Sequence, residues 1–153
     1  MSMETRSAVL AAQERLRAAH IPCREALPDI DDDDYNLVRE AAFRTLRDLG
    51  SPLDAPGHRL YILSFVGPIS FLKTGRTEHV LHRVRTHENA ALVHRALLVD
   101  AWVSRPYPNA RRWEESTLNR LRGLPGAISL GEYFYNIDFD TAVSIAQSER
   151  SIY

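Results

Sequence analysis

The chain has 153 residues, 44% hydrophobic and 25% charged, the composition of one globular domain with room for a small appendage. Collagen-like, coiled-coil and disordered classes are excluded. Nineteen bases against twenty acids leave a net charge of −1, which excludes a generally basic, histone-like polyanion binder but not a local cationic face.

The first segment, to about residue 20, carries Val9, Ala12, Leu16 and Ala19 at helical spacing and predicts an amphipathic helix from Glu4 to His20. It lacks the unbroken apolar core of a signal peptide. No window of about 18 apolar residues exists anywhere, so no transmembrane helix and no membrane partner is expected. The two prolines of IPCREALPDI break the helix. Cys23 in that break is the sole cysteine and reads as an incidental thiol. Without a disulfide or a Cys/His cluster, the expectation is a reducing, cytoplasmic protein with no structural zinc. Asp31 to Asp34 precede a second helix, with Leu37, Ala41, Phe43, Leu46 and Leu49 as its stripe and Gly50 as its stop. The aspartates read as a capped, solvated helix start in preference to a metal site.

SPLDAPGH reads as a linker. Beyond it the period changes. RLYILSFVG and ISFLKTG, with a Gly67-Pro68 turn between them, predict a β-hairpin. A helix follows from His79 to about Ala90, then a strand in RALLVDAWVS, then a helix through ARRWEESTLNRLRGL capped by Asn109. GEYFYNI is a short strand, and Asp138 or Asp140 starts a last helix running to about Gln147. The fold class is therefore α+β: a small, mostly antiparallel sheet with flanking helices, plus an N-terminal pair of helices. Trp102 and Trp113 are expected in the core.

The charge is segregated along this order. Residues 1–56 carry seven bases and eleven acids, net −4; residues 57–128 carry eleven and five, net +6; residues 129–153 carry one and four, net −3. Five of the six histidines, His58, His79, His82, His87 and His94, lie in the middle block. Phosphate affinity depends on the local field, so the neutral total conceals a cationic module that includes Arg105, Arg111, Arg112, Arg120 and Arg122. Eighteen of the nineteen bases are arginine. The single lysine, Lys73, stands in the hairpin, where a titratable amine can do what a permanently charged guanidinium cannot.

The middle block resembles the GIY-YIG nuclease superfamily, and most closely its T5orf172-type (Mug113-like) branch. RLYIL, with Tyr61, stands where the family has its first tyrosine-bearing strand. FLKTGRT, with Lys73, Gly75, Arg76 and Thr77, stands where the branch has K-I-G followed by a basic residue and Thr. GRTEHVLHRVRTH places Arg83 at the family arginine and His87 at its trailing histidine. ARRWEESTLNRL resembles the helix bearing the metal-binding glutamate, and GEYF resembles the branch's G-E-W-F. The likeness covers about residues 58–148. It divides the chain into an acidic helical region, 1–56, and a nuclease-like domain, 57–153.

What the resemblance implies is a DNA endonuclease dependent on Mg²⁺ or Mn²⁺, with Tyr61, Lys73, Arg83 and Glu114 catalytic. Gly75, Arg76, Thr77, His87 and Arg111 would contact substrate. Phosphodiester hydrolysis needs an activated water, stabilised phosphoryl charge and help for the leaving oxygen. One hydrated hard cation on a carboxylate suits the last two, and an arginine fork matches phosphate. Tyr61 and Lys73, on paired strands, are placed to face one another and to position the water. Ala110, Leu118 and Leu121 flank Glu114 at −4, +4 and +7, so it lies at the edge of the apolar face, whereas Glu115 faces out. Glu114 is therefore the favoured metal ligand and Glu115 the alternative. GEYF is read as packing and positioning. The first-motif glycine is absent, Arg59 standing two residues before Tyr61, and the branch's helix histidine has no clear counterpart. The alternative is thus a catalytically inactive module of the same fold that binds DNA or a protein. A third reading makes the acidic helices a partner or homo-oligomer surface.

Overall fold

A computed structural model describes residues 3–19, 32–47 and 55–150. Cys23, the proline-containing break, Asp31, Leu49, Gly50 and the first linker residues lie outside the described residues, as do the side chains of Leu16, Ala19, Asp32, Phe43 and Leu46. Two helices, α1 (Met3–Ala19) and α2 (Asp32–Arg47), precede strands β1 (Arg59–Val66) and β2 (Phe71–Thr77). Helix α3 (Val80–Val93), strand β3 (Leu97–Val103) and helix α4 (Ala110–Arg122) follow. Strands β4 (Ile128–Leu130) and β5 (Tyr133–Tyr135) and helix α5 (Phe139–Arg150) end the order. The α+β class is as the sequence predicts. None of the described helices is long and apolar enough to cross a membrane.

The five strands form one antiparallel sheet in the order β3-β1-β2-β5-β4. Alternation along β1 divides the core. Tyr61, Leu63 and Phe65 point to the face covered by α3, through Val80, Val84 and Ala91. Leu60 and Ile62 point to the other face, where they meet Trp113, Leu118 and Leu121 of α4 and Ala142, Ile145 and Ala146 of α5. Trp113 is fully buried, with its indole N–H donating to the Ala146 carbonyl at 2.7 Å, and Trp102 packs edge-on against it. Burying such a side chain stabilises by about 1.5–3 kcal/mol. Tryptophans in the core are therefore borne out.

A bulge positions the N-terminal helices. The register of β1 on β3 slips between Ser64 and Phe65, leaving Val99 without an opposite residue. Val99 packs with Ala12 of α1 and Val38 of α2, and its carbonyl accepts from Gln13 Nε2 at 2.7 Å. Arg39 of α2 also pairs with the buried Glu88 of α3.

Four local expectations are refined or corrected. Strand β4 is not anticipated; it pairs with β5 through the two-residue turn Gly131-Glu132, where Gly131 takes φ +62°. Asn109 occupies the α4 N-cap, but its side chain makes no cap hydrogen bond. Asp138, not Asp140, starts α5, accepting from the Thr141 N–H at 3.2 Å, and the helix runs one turn past Gln147. Tyr61 is opposite Gly75, whereas Lys73 is opposite Leu63, so Tyr61 and Lys73 share a face diagonally instead of facing directly.

Candidate functional site

Strand β5 pairs with β2 only at Leu72 and Lys73, so from Gly75 to Thr77 no described strand covers that edge. The interruption lets side chains from both faces meet. A cleft of about 450 Å³ opens there, lined by Tyr61, Lys73, Arg76, Arg83, His87, Glu114 and Glu132, with His58, Thr77, Glu78 and His79 at its rim. Four sequence-distant elements (β1, β2, α3 and α4) thus bring together Tyr61, Lys73, Arg83 and Glu114.

Strand alternation turns Tyr61 under α3, where it is 2% exposed. Its hydroxyl lies 2.9 Å from His87 Nε2. Burial, and then the negative charge of Glu132, pushes the phenol well above the usual tyrosine range, so it stays protonated. Burial and the charges of Lys73 and Arg83 push His87 down to about 4, so the imidazole is neutral at pH 7. Gly75 is what makes room for this pair: a Cβ there would lie 2.5 Å from the Tyr61 hydroxyl oxygen. Gly75 supports the tyrosine ring from beneath and does not line the cleft.

Lys73 is buried, and its ammonium pairs with the Glu132 carboxylate and lies 4.8 Å from the Tyr133 ring centroid. Glu114, half-buried on the inward edge of α4, meets Arg76 at 3.5 Å. Burial and then the Glu132 charge raise its pKa, against the pull of Arg76 and Lys73. Arg83 is exposed at the mouth and has no carboxylate partner among the described residues, since Glu78 pairs with His58 and Glu88 with Arg39. Thr77 lines the cleft, but its hydroxyl accepts from the His79 N–H at 3.0 Å at the start of α3.

Arg111 and Glu115 are not brought to the cleft. They pair with each other at 3.1 Å on the solvent side of α4, one turn apart and about 100° round from Glu114. Arg111 therefore does not line the cleft. Glu132, His58 and His79 are cleft residues that sequence reasoning did not name as such. The signal for Glu132 was GEYF itself: a glycine suited to a tight turn sets the following carboxylate at the end of the hairpin.

Among the described residues no group of three or more His, Cys, Asp or Glu side chains is arranged to hold a metal. That donor set does not fit a chelated zinc. It fits a mostly hydrated hard cation, which needs only one or two carboxylates. Glu114, half-buried in the cleft beside Glu132, is the carboxylate that could hold one. No protein-family model, curated protein or solved structure matches the chain.

Proposed function

We propose that the chain is a divalent-metal-assisted endonuclease that hydrolyses DNA phosphodiester bonds in the cleft at the open edge of β2. The convergence of Tyr61, Lys73, Arg83 and Glu114 on that cleft carries the reading. A tyrosine, two kinds of cation and a half-buried carboxylate are what in-line attack on a phosphodiester asks for. Arg83, whose guanidinium has no carboxylate partner among the described residues, clamps the phosphate. Lys73 and Arg76 add positive charge along the cleft floor.

The proton acceptor is the Tyr61–His87 pair. Tyr61 stays a neutral phenol, so it orients the attacking water and relays its proton, and neutral His87 takes the proton at Nε2. A bound phosphate brings negative charge that opposes the Lys73 and Arg83 charges and raises the basicity of His87. Glu114 would hold Mg²⁺ or Mn²⁺, which when bound supplies charge stabilisation for the leaving oxygen.

Cleavage of supercoiled plasmid with Mg²⁺ or Mn²⁺, compared with Glu114→Ala, tests the reading. The wild-type chain nicks the plasmid and the variant loses at least about a hundredfold, the scale of removing a charge-stabilising group. No cleavage by wild type with either metal sinks the enzyme claim. One observation favours the second reading, a binding module without catalysis: Glu114, Glu132 and Glu78 are each already paired with a cation or a histidine. That reading gives salt-sensitive DNA binding that EDTA leaves unchanged.

A further inference from the structure

The face of the sheet that carries Tyr61 and Lys73 is covered unequally. Helix α3 packs over β1 and β3, and no described helix covers that face over β5 and β4. Antiparallel partners share a face, so the register places Lys73, Tyr133 and Leu130 in one row and Phe71, Tyr135 and Ile128 in the next. Leu130 is 66% exposed, Ile128 55% and Tyr133 38%. The ring of Tyr133 has the Lys73 ammonium 4.8 Å from its centroid, and Phe71 lies at 5.8 Å from Tyr133 and 6.2 Å from Tyr135. A solvent-open aromatic floor therefore starts at a cleft residue and runs away from it.

We propose that this floor is a stacking platform for unpaired nucleotides leading into the cleft, so that the substrate class is nucleic acid with a single-stranded segment. The inference rests on the nucleic-acid reading above and adds the strand state. The surroundings of the floor select this occupant. The platform is continuous with the cleft through Lys73, which belongs to both. Cations flank its cleft end: Lys73 and Arg83 line the cleft, and the Arg122 guanidinium donates to the Gly131 carbonyl at 3.0 Å in the β4–β5 turn. Every unpaired base has a π-face that a tyrosine can accept, with phosphates drawn to the cations beside it, whereas a duplex hides those faces. The apolar patch is also small for a second copy of the chain. It rests on two three-residue strands, against roughly 20–30 residues a side in a stable interface.

The test is binding, measured with the full chain in EDTA so that no strand is cut. Fluorescence anisotropy compares a short fluorescein-labelled oligothymidylate with the duplex of the same length at one fixed salt concentration. The single strand binds more tightly. Tyr133→Ala weakens single-strand binding by about tenfold or more and duplex binding by less than about twofold, since stacking is felt by the open base alone. Tyr133→Leu keeps the apolar contacts with Phe71 and Leu130 and loses single-strand binding likewise, which separates stacking from unfolding. Tyr133→Trp retains it. Equal loss on both nucleic acids, loss with neither, or no binding to either overturns the platform. So does a concentration-dependent dimer of the wild-type chain that Leu130→Asp abolishes, because a second copy then owns the face. Single-strand preference without plasmid cleavage leaves the platform standing and removes the enzyme reading. Cleavage without that preference does the reverse.

Discussion

Two cavities lie at opposite ends of the same sheet, and the smaller is the better candidate for chemistry. The cleft at the open edge of β2 has about 450 Å³, and the cavity at the β1–β2 turn has about 730 Å³. The larger one is lined by Phe71, Tyr135 and Phe139 with Asp100, Asp138 and Asp140, and its described lining contains no lysine, arginine or histidine. Two of those carboxylates already do structural work: Asp138 caps α5, and Asp100 accepts from the Ala101 N–H. Such a field repels phosphate. In the cleft, carboxylates and cations alternate at contact distance, so charge can be redistributed when a polyanion arrives. Volume says where a ligand fits, whereas the sign and pairing of charge say which ligand.

Gly75 allows the geometry of the cleft to be disturbed without touching its charges. In Gly75→Ala the new methyl group strikes the Tyr61 hydroxyl, and the tyrosine must leave His87. Plasmid cleavage is expected to fall about a hundredfold, because ångström-scale misplacement of a reacting group is worth that much. Asp140→Asn in the larger cavity removes an exposed charge and is expected to leave cleavage within about twofold. Equal losses in the two variants would mean that cleavage does not depend on the cleft at the edge of β2.

The parts of this cleft that were legible in the sequence are those set by a local period. Glu114 was separated from Glu115 by the apolar residues one and two turns away on α4. Tyr61 and Lys73 were placed on paired strands by the hairpin pattern. What the hairpin pattern does not carry is register: the residues from Gly67 to Ser70 join the strands so that Gly75, not Lys73, lies opposite Tyr61. Strand β4 was hidden because Gly123, Pro125 and Gly126 dominate its neighbourhood and three residues show no period. With β4 unseen, the hairpin that delivers Glu132 was unseen too. The docking of α1 and α2 on β3 depends on a bulge at Val99, a non-local event that leaves no trace in the periodicity of either helix.

A second, smaller effect is read in stability against pH. His87 has a folded pKa of about 4 against an unfolded value of 6.5. Between these values the unfolded chain binds the proton and the folded chain does not, so stability rises with pH. The contribution is fully present above the unfolded value and is lost as pH falls from there toward the folded one. His87 is partly exposed, so solvent screening trims the full shift, and about 1 kcal/mol is expected between about pH 7 and about pH 5. The unfolding free energy from urea titrations at the two pH values should fall further in the wild-type chain than in His87→Gln by that amount. An equal fall in both would mean that the imidazole is not desolvated, and the neutral proton acceptor assigned to the cleft would be lost. The larger cavity has no histidine in its described lining, so this pH response belongs to the cleft alone.

The smallest expected effect comes from the carboxylate next to the one that matters most. Glu115 is one residue from Glu114, but one residue on a helix is a rotation of about 100°. Its partner is Arg111, both are exposed, and the pair spans i to i+4 on the outer side of α4. Exposed pairs of this kind are worth about 0.3–0.5 kcal/mol. Glu115→Gln should therefore lower the unfolding free energy by no more than that and leave cleavage within about twofold, while Glu114→Ala removes it. Glu114→Gln is the matched control: set beside Glu115→Gln, it removes the same charge by the same substitution from the inward side of the same helix turn. Were Glu115→Gln to abolish cleavage, α4 would have to present its outer side to the substrate, and the cleft at the edge of β2 could not be where the phosphate binds.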